Sequence, residues 1–460
     1  MANIRSRCDS FFTRILSGRT MSYKQIFAIF LPLWVDQAFI ISLNMLNTAM
    51  VSSSGVAAVS AVSMVDSLNL FLLNVFVAVA TGGTVIVAQY KGNHDHMMMS
   101  KAAAQALLSV TCLATGLAVV LLILHGPMLT FLFGAAEQEV LDNARIYMIA
   151  SYISYPSFAV YQAVCGALRG ASDTKSSLAI SMITNISYVL MNFFFVTLLD
   201  MGVLGLSISL NLSRLLGMGC SLLYLLRLNH SFALEWKDLL RFDFQIIKRV
   251  MTVGIPFAAE QMFFNGGKLL TQTFVVQLGT YSMTTYAICN SLTPLTQITG
   301  NALGLTTVTV VGQCMGHKDP DDAKKFSKSL VGVSCAAFLV MQLIIYPLLP
   351  VLISLFSPPE EIVPVIYRIM IFTAAANPLM WSTSFVLPNA LRAAGDSKFT
   401  SIASMCSMWL FRVVLGYVFG IILPFGITGV WCAMLLEWGV RSVVFLIRFK
   451  SGKWTKHQLI

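Results

Sequence analysis

Apolar residues run in long blocks along the whole chain, separated by short polar stretches rich in Gly, Asn, Asp and Lys. A helix rising about 1.5 Å per residue needs about 20 mostly apolar residues to cross the hydrocarbon core of a bilayer. On that criterion the pattern predicts twelve membrane-spanning helices, at roughly 25–50, 58–83, 102–124, 140–165, 176–199, 203–226, 250–276, 283–310, 328–350, 362–388, 399–422 and 427–449. The connecting segments are too short to form a soluble domain.

The polar positions repeat in order. A shift of 223 or 224 residues lays "LPLWVDQAF" (31–39) over "IPFAAEQMF" (255–263), so that Pro32 meets Pro256, Asp36 meets Glu260 and Gln37 meets Gln261. The same shift lays "DSL" (66–68) over "NSL" (290–292) and "QYKGNHD" (89–95) over "QCMGHKD" (313–319). It also lays "ALRGASDTK" (167–175) over "ALRAAGDSK" (390–398). Apolar composition alone does not align a proline, an acid, an amide, a glycine and two loop aspartates. Six spans per half is an even number, so both halves enter the membrane from one side. The expected fold is an all-α membrane protein of twelve transmembrane helices. They form two six-helix lobes related by a pseudo-two-fold axis along the membrane normal, with substrate bound at the interface between repeats. The expected lobes are 25–227 and 250–449, with an N-terminal segment 1–24, a linker 228–249 and a tail 450–460.

Composition agrees: 57% of the 460 residues are hydrophobic and 11% are charged, against about 25% charged in soluble domains. Charge then orients the chain. With the N-terminus placed in the cytoplasm, the inward segments carry 24 of the 30 Lys and Arg residues, and the outward loops carry Glu137, Glu139, Glu360 and Glu361. Cytoplasmic loops hold the basic excess, so both termini are expected inside a cell (inner) membrane. The net charge of +10 therefore needs no nucleic-acid partner. The leader with Arg5, Arg7, Arg14, Arg19 and Lys24 lacks the apolar core of a cleavable secretion signal. The nine cysteines form no CxxC pair and read as small buried apolar residues. The six histidines fall in or near loops without metal spacing, and no phosphate-binding G-x-x-x-x-G-K-[ST] motif occurs. An enzyme, a primary pump and a bound cofactor are all unexpected.

What remains is polar chemistry inside the membrane, where an ionisable side chain is costly and marks function by default. Asp36 and Glu260, at matching depths and each followed by Gln-x-Phe, are the first candidates for exchanging a proton, a Na⁺ or a cationic solute. Asp66, with Asn290 at the equivalent place, is another carboxylate within a span. Asn185 and Asn192 lie seven residues apart on one helix face. Gln37, Gln261, Met262 and Phe263 flank the two acids, and Met and Phe suit adaptable apolar ligands. Glu437 and Arg441 are four apart and expected to pair. Arg214 and Arg412 are expected as counter-charges, and Lys268 is expected to snorkel to the outer interface. The loop aspartates Asp95, Asp173, Asp319 and Asp396 read as turn and helix-cap residues.

Twelve spans in two like-oriented sextets, the "VAQYKGNHD" and "VGQCMGHKD" loops and the paired "ALR…D[TS]K" segments together resemble the multidrug and toxic compound extrusion (MATE) family, from about Tyr23 to Arg448. The chain is expected to act as a monomer, and the resemblance implies a secondary antiporter. It would expel organic, often cationic, amphipathic compounds by alternating access, driven by inward H⁺ or Na⁺. Position by position it assigns ion coupling to Asp36, Glu260 and Asn192, with a possible Na⁺ at Asp36 or Glu260. From the residues themselves, substrate contact is expected at Gln37, Asp66, Asn185, Gln261, Met262, Phe263 and Asn290. Tyr188 stands where many relatives have Asn, and the tenth span reads "AAANPLMWSTSF" without an acid, which leaves the coupling ion open. The alternative is a lipid-linked oligosaccharide or polysaccharide flippase of the same superfamily, which should carry a strongly cationic cavity for pyrophosphate.

Overall fold

The computed structural model describes every residue except 1–8, 11, 53–55, 135–136, 230–231, 235–236 and 239–240. Arg5 and Arg7 of the leader and part of the expected linker lie outside the described residues. Among the described residues twelve long helices follow in order: α1 Tyr23–Ser52, α2 Val56–Gly92, α3 His96–Phe133, α4 Gln138–Gly170, α5 Thr174–Asn192 and α6 Gly202–Leu223. Then come α7 Phe244–Gln277, α8 Thr280–Gly316, α9 Pro320–Ser354, α10 beginning at Val363, α11 beginning at Ser397 and α12 Gly426–Lys450. Wide π-type turns extend α5 through Phe193–Leu198 and α6 through Tyr224–Leu228. They also interrupt α10 at Asn377–Val386 and α11 at Met408–Val414. No strand occurs among the described residues. The fold is the expected all-α, twelve-helix membrane architecture of two six-helix lobes.

Among the described residues, nine helices hold a window long and apolar enough to cross a membrane. The other three, α4, α7 and α8, are as long but more polar. Serine and tyrosine enrich α4, four charged residues (Lys248, Arg249, Glu260 and Lys268) lie along α7, and α8 is threonine-rich. The threonines cost little in a bilayer because their hydroxyls return to the backbone one turn back. Thr285 donates to Tyr281 O at 2.8 Å, and Thr307 to Leu303 O at 2.7 Å. No polar hydrogen is left facing hydrocarbon at these sites.

Compact packing divides the chain into Met1–Gln37 with Ala259–Leu459, and Ala38–Ala258. In the first unit, Leu16, Met21, Ile26, Ile29 and Leu33 enter one core with Leu303, Val310, Phe326, Leu391 and Phe445. Polar ties hold the same stretch: Thr20 N donates to Asp322 Oδ2 at 2.8 Å, and Trp34 Nε1 to Thr299 Oγ1 at 3.0 Å. In the second unit, small residues let helices approach closely. A Cβ on Gly82 would stand 2.6 Å from Val250 O, and one on Gly170 2.6 Å from Thr84 O. Gly82 thereby fastens the start of α7 to α2. The unit boundary cuts α1 just after Asp36–Gln37 and α7 just before Glu260, so both acids belong to the first unit.

The sequence repeat reappears in the backbone. His94 and Lys318 take left-handed φ values of 57° and 58°, and the matching pair Ser172 and Gly395 take 68° and 101°. Each precedes a cap aspartate. Asp95 accepts from Met98 N at 2.9 Å, Asp173 from Ser176 N at 3.3 Å and Asp319 from Asp322 N at 3.0 Å. The fourth departs from expectation. Asp396 makes no side-chain cap bond and instead accepts from Arg448 at 2.7 and 3.1 Å, with His457 at 3.3 Å.

Candidate functional site

Two polar centres stand out, one within each unit. In the unit of residues 38–258, the centre is Asp66 on α2. Its Oδ1 accepts from Tyr147 Oη at 2.9 Å and from Asn69 Nδ2 at 3.3 Å. Asn69 follows Asp66 by three residues and shares its helix face. The amide is itself fixed, donating to Ser151 Oγ at 3.0 Å and accepting from Tyr155 Oη at 2.7 Å. Tyr147, Ser151 and Tyr155 recur along one side of α4 and are all buried. Tyr155 packs edge-on to Phe76, at 5.4 Å between ring centres. The Asp66 side chain itself is exposed. One carboxylate oxygen is thus anchored by neutral donors from behind, and Asp66 pairs with no basic group among the described residues. Arg214 exerts a weaker, longer-range pull on it. The guanidinium donates to Ser154 Oγ at 2.6 Å and lies over Phe158, 4.9 Å from the ring centre. The expectation of Arg214 as a counter-charge takes this form: nearby, but not paired.

Asn185 and Asn192 lie on α5. Asn185 turns its amide back to Ser181 O at 2.9 Å and Ser181 Oγ at 3.3 Å. Asn192 is fully buried at the end of α5.

The first unit holds the two acids at matching positions. Asp36 is 6% exposed and Glu260 likewise 6%. Glu260 has a resident cation: Arg392 Nη2 lies 2.7 Å from Oε1 and 2.6 Å from Oε2, and Ser401 Oγ donates to Oε2 at 3.0 Å. Arg392 is also held by Asn389 Oδ1 at 3.0 Å. A Na⁺ does not fit beside a guanidinium that already covers both oxygens. The acid's charge is compensated from within the lobe. Among the described residues no cluster of three or more His, Cys, Asp or Glu side chains could hold a metal ion.

The residues flanking Glu260 scatter. Gln261 uses its backbone carbonyl to accept from Asn265 Nδ2 at 2.9 Å. Met262 and Phe263 are exposed, Phe263 lying edge-on to Trp409 at 6.2 Å. Asn290, exposed, donates back to Tyr286 O at 3.1 Å. Gln37 is half-buried.

Lys268 on α7 and Arg412 on α11 depart from expectation. Lys268 does not snorkel outward: its Nζ lies 4.9 Å from the ring centre of Phe264, one turn back toward the helix start. Arg412 does not serve as a counter-charge in an ion pair. It is buried, has no carboxylate within ion-pair distance among the described residues, and sits 5.8 Å from the same ring. The expected Glu437–Arg441 pair does form, at 3.0 Å and fully buried. Neither Asn69 nor the α4 tyrosines were singled out from sequence. The available signal was a run of tyrosines in an unusually polar span.

The MatE family model matches residues 32–194 and again 256–418, one match in each half. The "Uncharacterized transporter YisQ" of Bacillus subtilis is 23% identical, over 93% of this chain and 94% of its own length. The "Probable multidrug resistance protein NorM" of Thermotoga maritima is 22% identical, over 95% and 94%. A solved outward-facing multidrug resistance MATE family transporter superposes with a TM-score of 0.84 at 16% identity, covering 94% of this chain and 96% of that one.

Proposed function

This chain belongs to the MatE family of transporters, and on that premise we propose that it is a secondary active exporter of organic, cationic and amphipathic compounds in exchange for H⁺ or Na⁺. The doubled family match and the drug-resistance relatives support export of small molecules across a membrane. The observation that carries the charge preference is Asp66. A carboxylate within a membrane span, gripped through Oδ1 by Tyr147 and Asn69 and otherwise accessible, offers Oδ2 to a positive group.

The chemistry follows from competition. An ionised acid inside a membrane gains most from a cation that arrives. Export is driven when the ion and the organic cation favour different conformations of the protein. A ligand shifts a conformational equilibrium only through its differential affinity for the two states. Asp36, buried in α1, is the carboxylate we assign to ion coupling, with Asn192 as a secondary polar group. Glu260 is the weaker candidate, because Arg392 must leave before a cation could enter. Gln37, Asn185, Gln261, Met262, Phe263 and Asn290 remain candidate substrate contacts. The distribution of Lys and Arg supports a cell-membrane location with both termini cytoplasmic, and the protein is proposed to act as a monomer. The flippase reading is weaker, since the relatives above include drug-resistance proteins. Reconstituted vesicles with an imposed pH or Na⁺ gradient test the proposal. Wild-type protein should drive ethidium across the membrane and Asp66→Asn should not; gradient-independent behaviour of both would refute it.

A further inference from the structure

The geometry points to a second binding site, of opposite sign, built around Phe264 in the unit of residues 259–459: a site for one phosphate or carboxylate group, held by Lys268, Arg412 and Arg441. Three cations converge there. Lys268 Nζ lies 4.9 Å from the Phe264 ring centre, and the guanidinium carbons of Arg412 and Arg441 lie 5.8 and 5.7 Å from it. One acid accompanies them, Glu437, whose Oε1 pairs with Arg441 Nη1 at 3.0 Å. Three positive charges against one leave a surplus of two. The adjacent Glu260–Arg392 pair adds nothing to that balance.

The surplus is not relieved by hydrogen bonding. Arg412 is 4% exposed, and its Nε meets no acceptor. Arg441 donates through Nε to Ser384 Oγ, but its Nη2 is likewise without an acceptor. Buried guanidinium groups with open donor positions are costly, and Arg is the side chain best shaped to grip a carboxylate or phosphate through such positions. Glu437 Oε2 is also without a hydrogen-bond partner, and the single charge of this acid leaves two of the three cations uncompensated.

Local backbone supports a built site rather than an accident of packing. Arg412 sits within the π-type segment Met408–Val414, and Ser384 with Phe385 within another, Asn377–Val386. Such turns are rare and recur at functional positions. Helix α7 approaches α11 closely at Gly267, where a Cβ would stand 2.7 Å from Met408 Cε. This approach brings Lys268 beside the arginines, and its exposed side chain gives the cluster access to the surroundings. Phe385, 4.2 Å beneath Arg441, and Phe264 supply apolar faces next to the charges. The ligand class is therefore an amphipathic anion, whether a lipid headgroup or a free molecule. This site is independent of the cation reading of Asp66.

The test is an equilibrium titration of the full-length protein in phosphatidylcholine nanodiscs, followed by tryptophan fluorescence, with inorganic phosphate and dodecyl phosphate as probes. A third arm compares thermal stability in discs containing phosphatidylglycerol. Saturable, salt-sensitive binding is expected, weakened about tenfold by Lys268→Gln and by Arg412→Gln, the loss of one charge-assisted contact. Arg412→Lys should retain most of it, and Lys101→Gln on α3 should change nothing. Binding of inorganic phosphate identifies a small-anion site, dodecyl phosphate alone a free amphiphile, and stabilisation by phosphatidylglycerol alone a lipid headgroup. Should Arg412→Gln fail to fold, the exposed Lys268 position decides. Unchanged affinity in Lys268→Gln, or no saturable response in any arm, overturns the proposal.

Discussion

A single nitrogen of Arg392 lies within hydrogen-bond reach of both carboxylate oxygens of Glu260, at 2.7 and 2.6 Å, from 132 residues away along the chain. Both side chains are buried, at 5% and 8% exposure. A membrane acid that reads in isolation as an exchange site is thus neutralised by an arginine from the other end of its lobe. Breaking such a pair from one side strands the remaining charge.

The first prediction concerns this pair. Glu260→Gln or Arg392→Gln alone should destabilise the protein by about 3–5 kcal/mol, the cost of an uncompensated buried charge. The double variant should lose less than the sum of the two. Thermal unfolding in a mild detergent reads the difference. Additive losses would mean that the two side chains act independently.

Asp66 should respond differently to its two donors. Tyr147→Phe removes a hydrogen bond to an ionised acceptor, worth about 1.5–3 kcal/mol. Organic-cation affinity should therefore change about tenfold or more while the fold survives. Ser151→Ala, one bond further from the carboxylate, should have a smaller effect. Equal effects of the two would place the determinant elsewhere in the network.

Close helix packing gives a third prediction. Gly82→Val forces a side chain to within 2.6 Å of Val250 O, and overpacking of this kind costs about 1–3 kcal/mol. The same change at Gly116, where an added Cβ meets nothing within 4 Å, should leave the melting temperature nearly unchanged.

The loop caps give a fourth. Asp95→Ala removes the bond to Met98 N and should cost about 1 kcal/mol, as at other helix N-termini. Asp396→Ala should cost more, because it frees Arg448 from two charge-assisted bonds. Equal losses on thermal unfolding would argue that the Arg448 pair contributes no more than a single cap bond.

Much of the fold was legible in the sequence, for physical reasons. Blocks of about 20 apolar residues specify spanning helices almost alone. The repeat survived because its polar members do the same backbone work twice, as His94–Asp95 and Lys318–Asp319 do. The site was less legible. Glu260 and Arg392 are brought together by folding, and nothing in the local pattern of "RAAGDSK" reveals a buried partner. Lys268 read as an interfacial lysine from its depth alone, but the ring of Phe264 one turn back draws its charge inward. Asp66 was visible as an isolated acid, whereas Tyr147 and Asn69 became meaningful only when α2 and α4 were packed together.

The central claim is that a carboxylate steadied by neutral donors receives the positive cargo. Ethidium movement into sided proteoliposomes, measured for wild type and Asp66→Asn under the same imposed gradient, tests it most directly. Transport by the wild type and loss of at least nine-tenths of the rate in the variant, with unchanged insertion and melting, is the expected result, a change of about 1.4 kcal/mol or more in the limiting step. Full transport by Asp66→Asn would contradict the account.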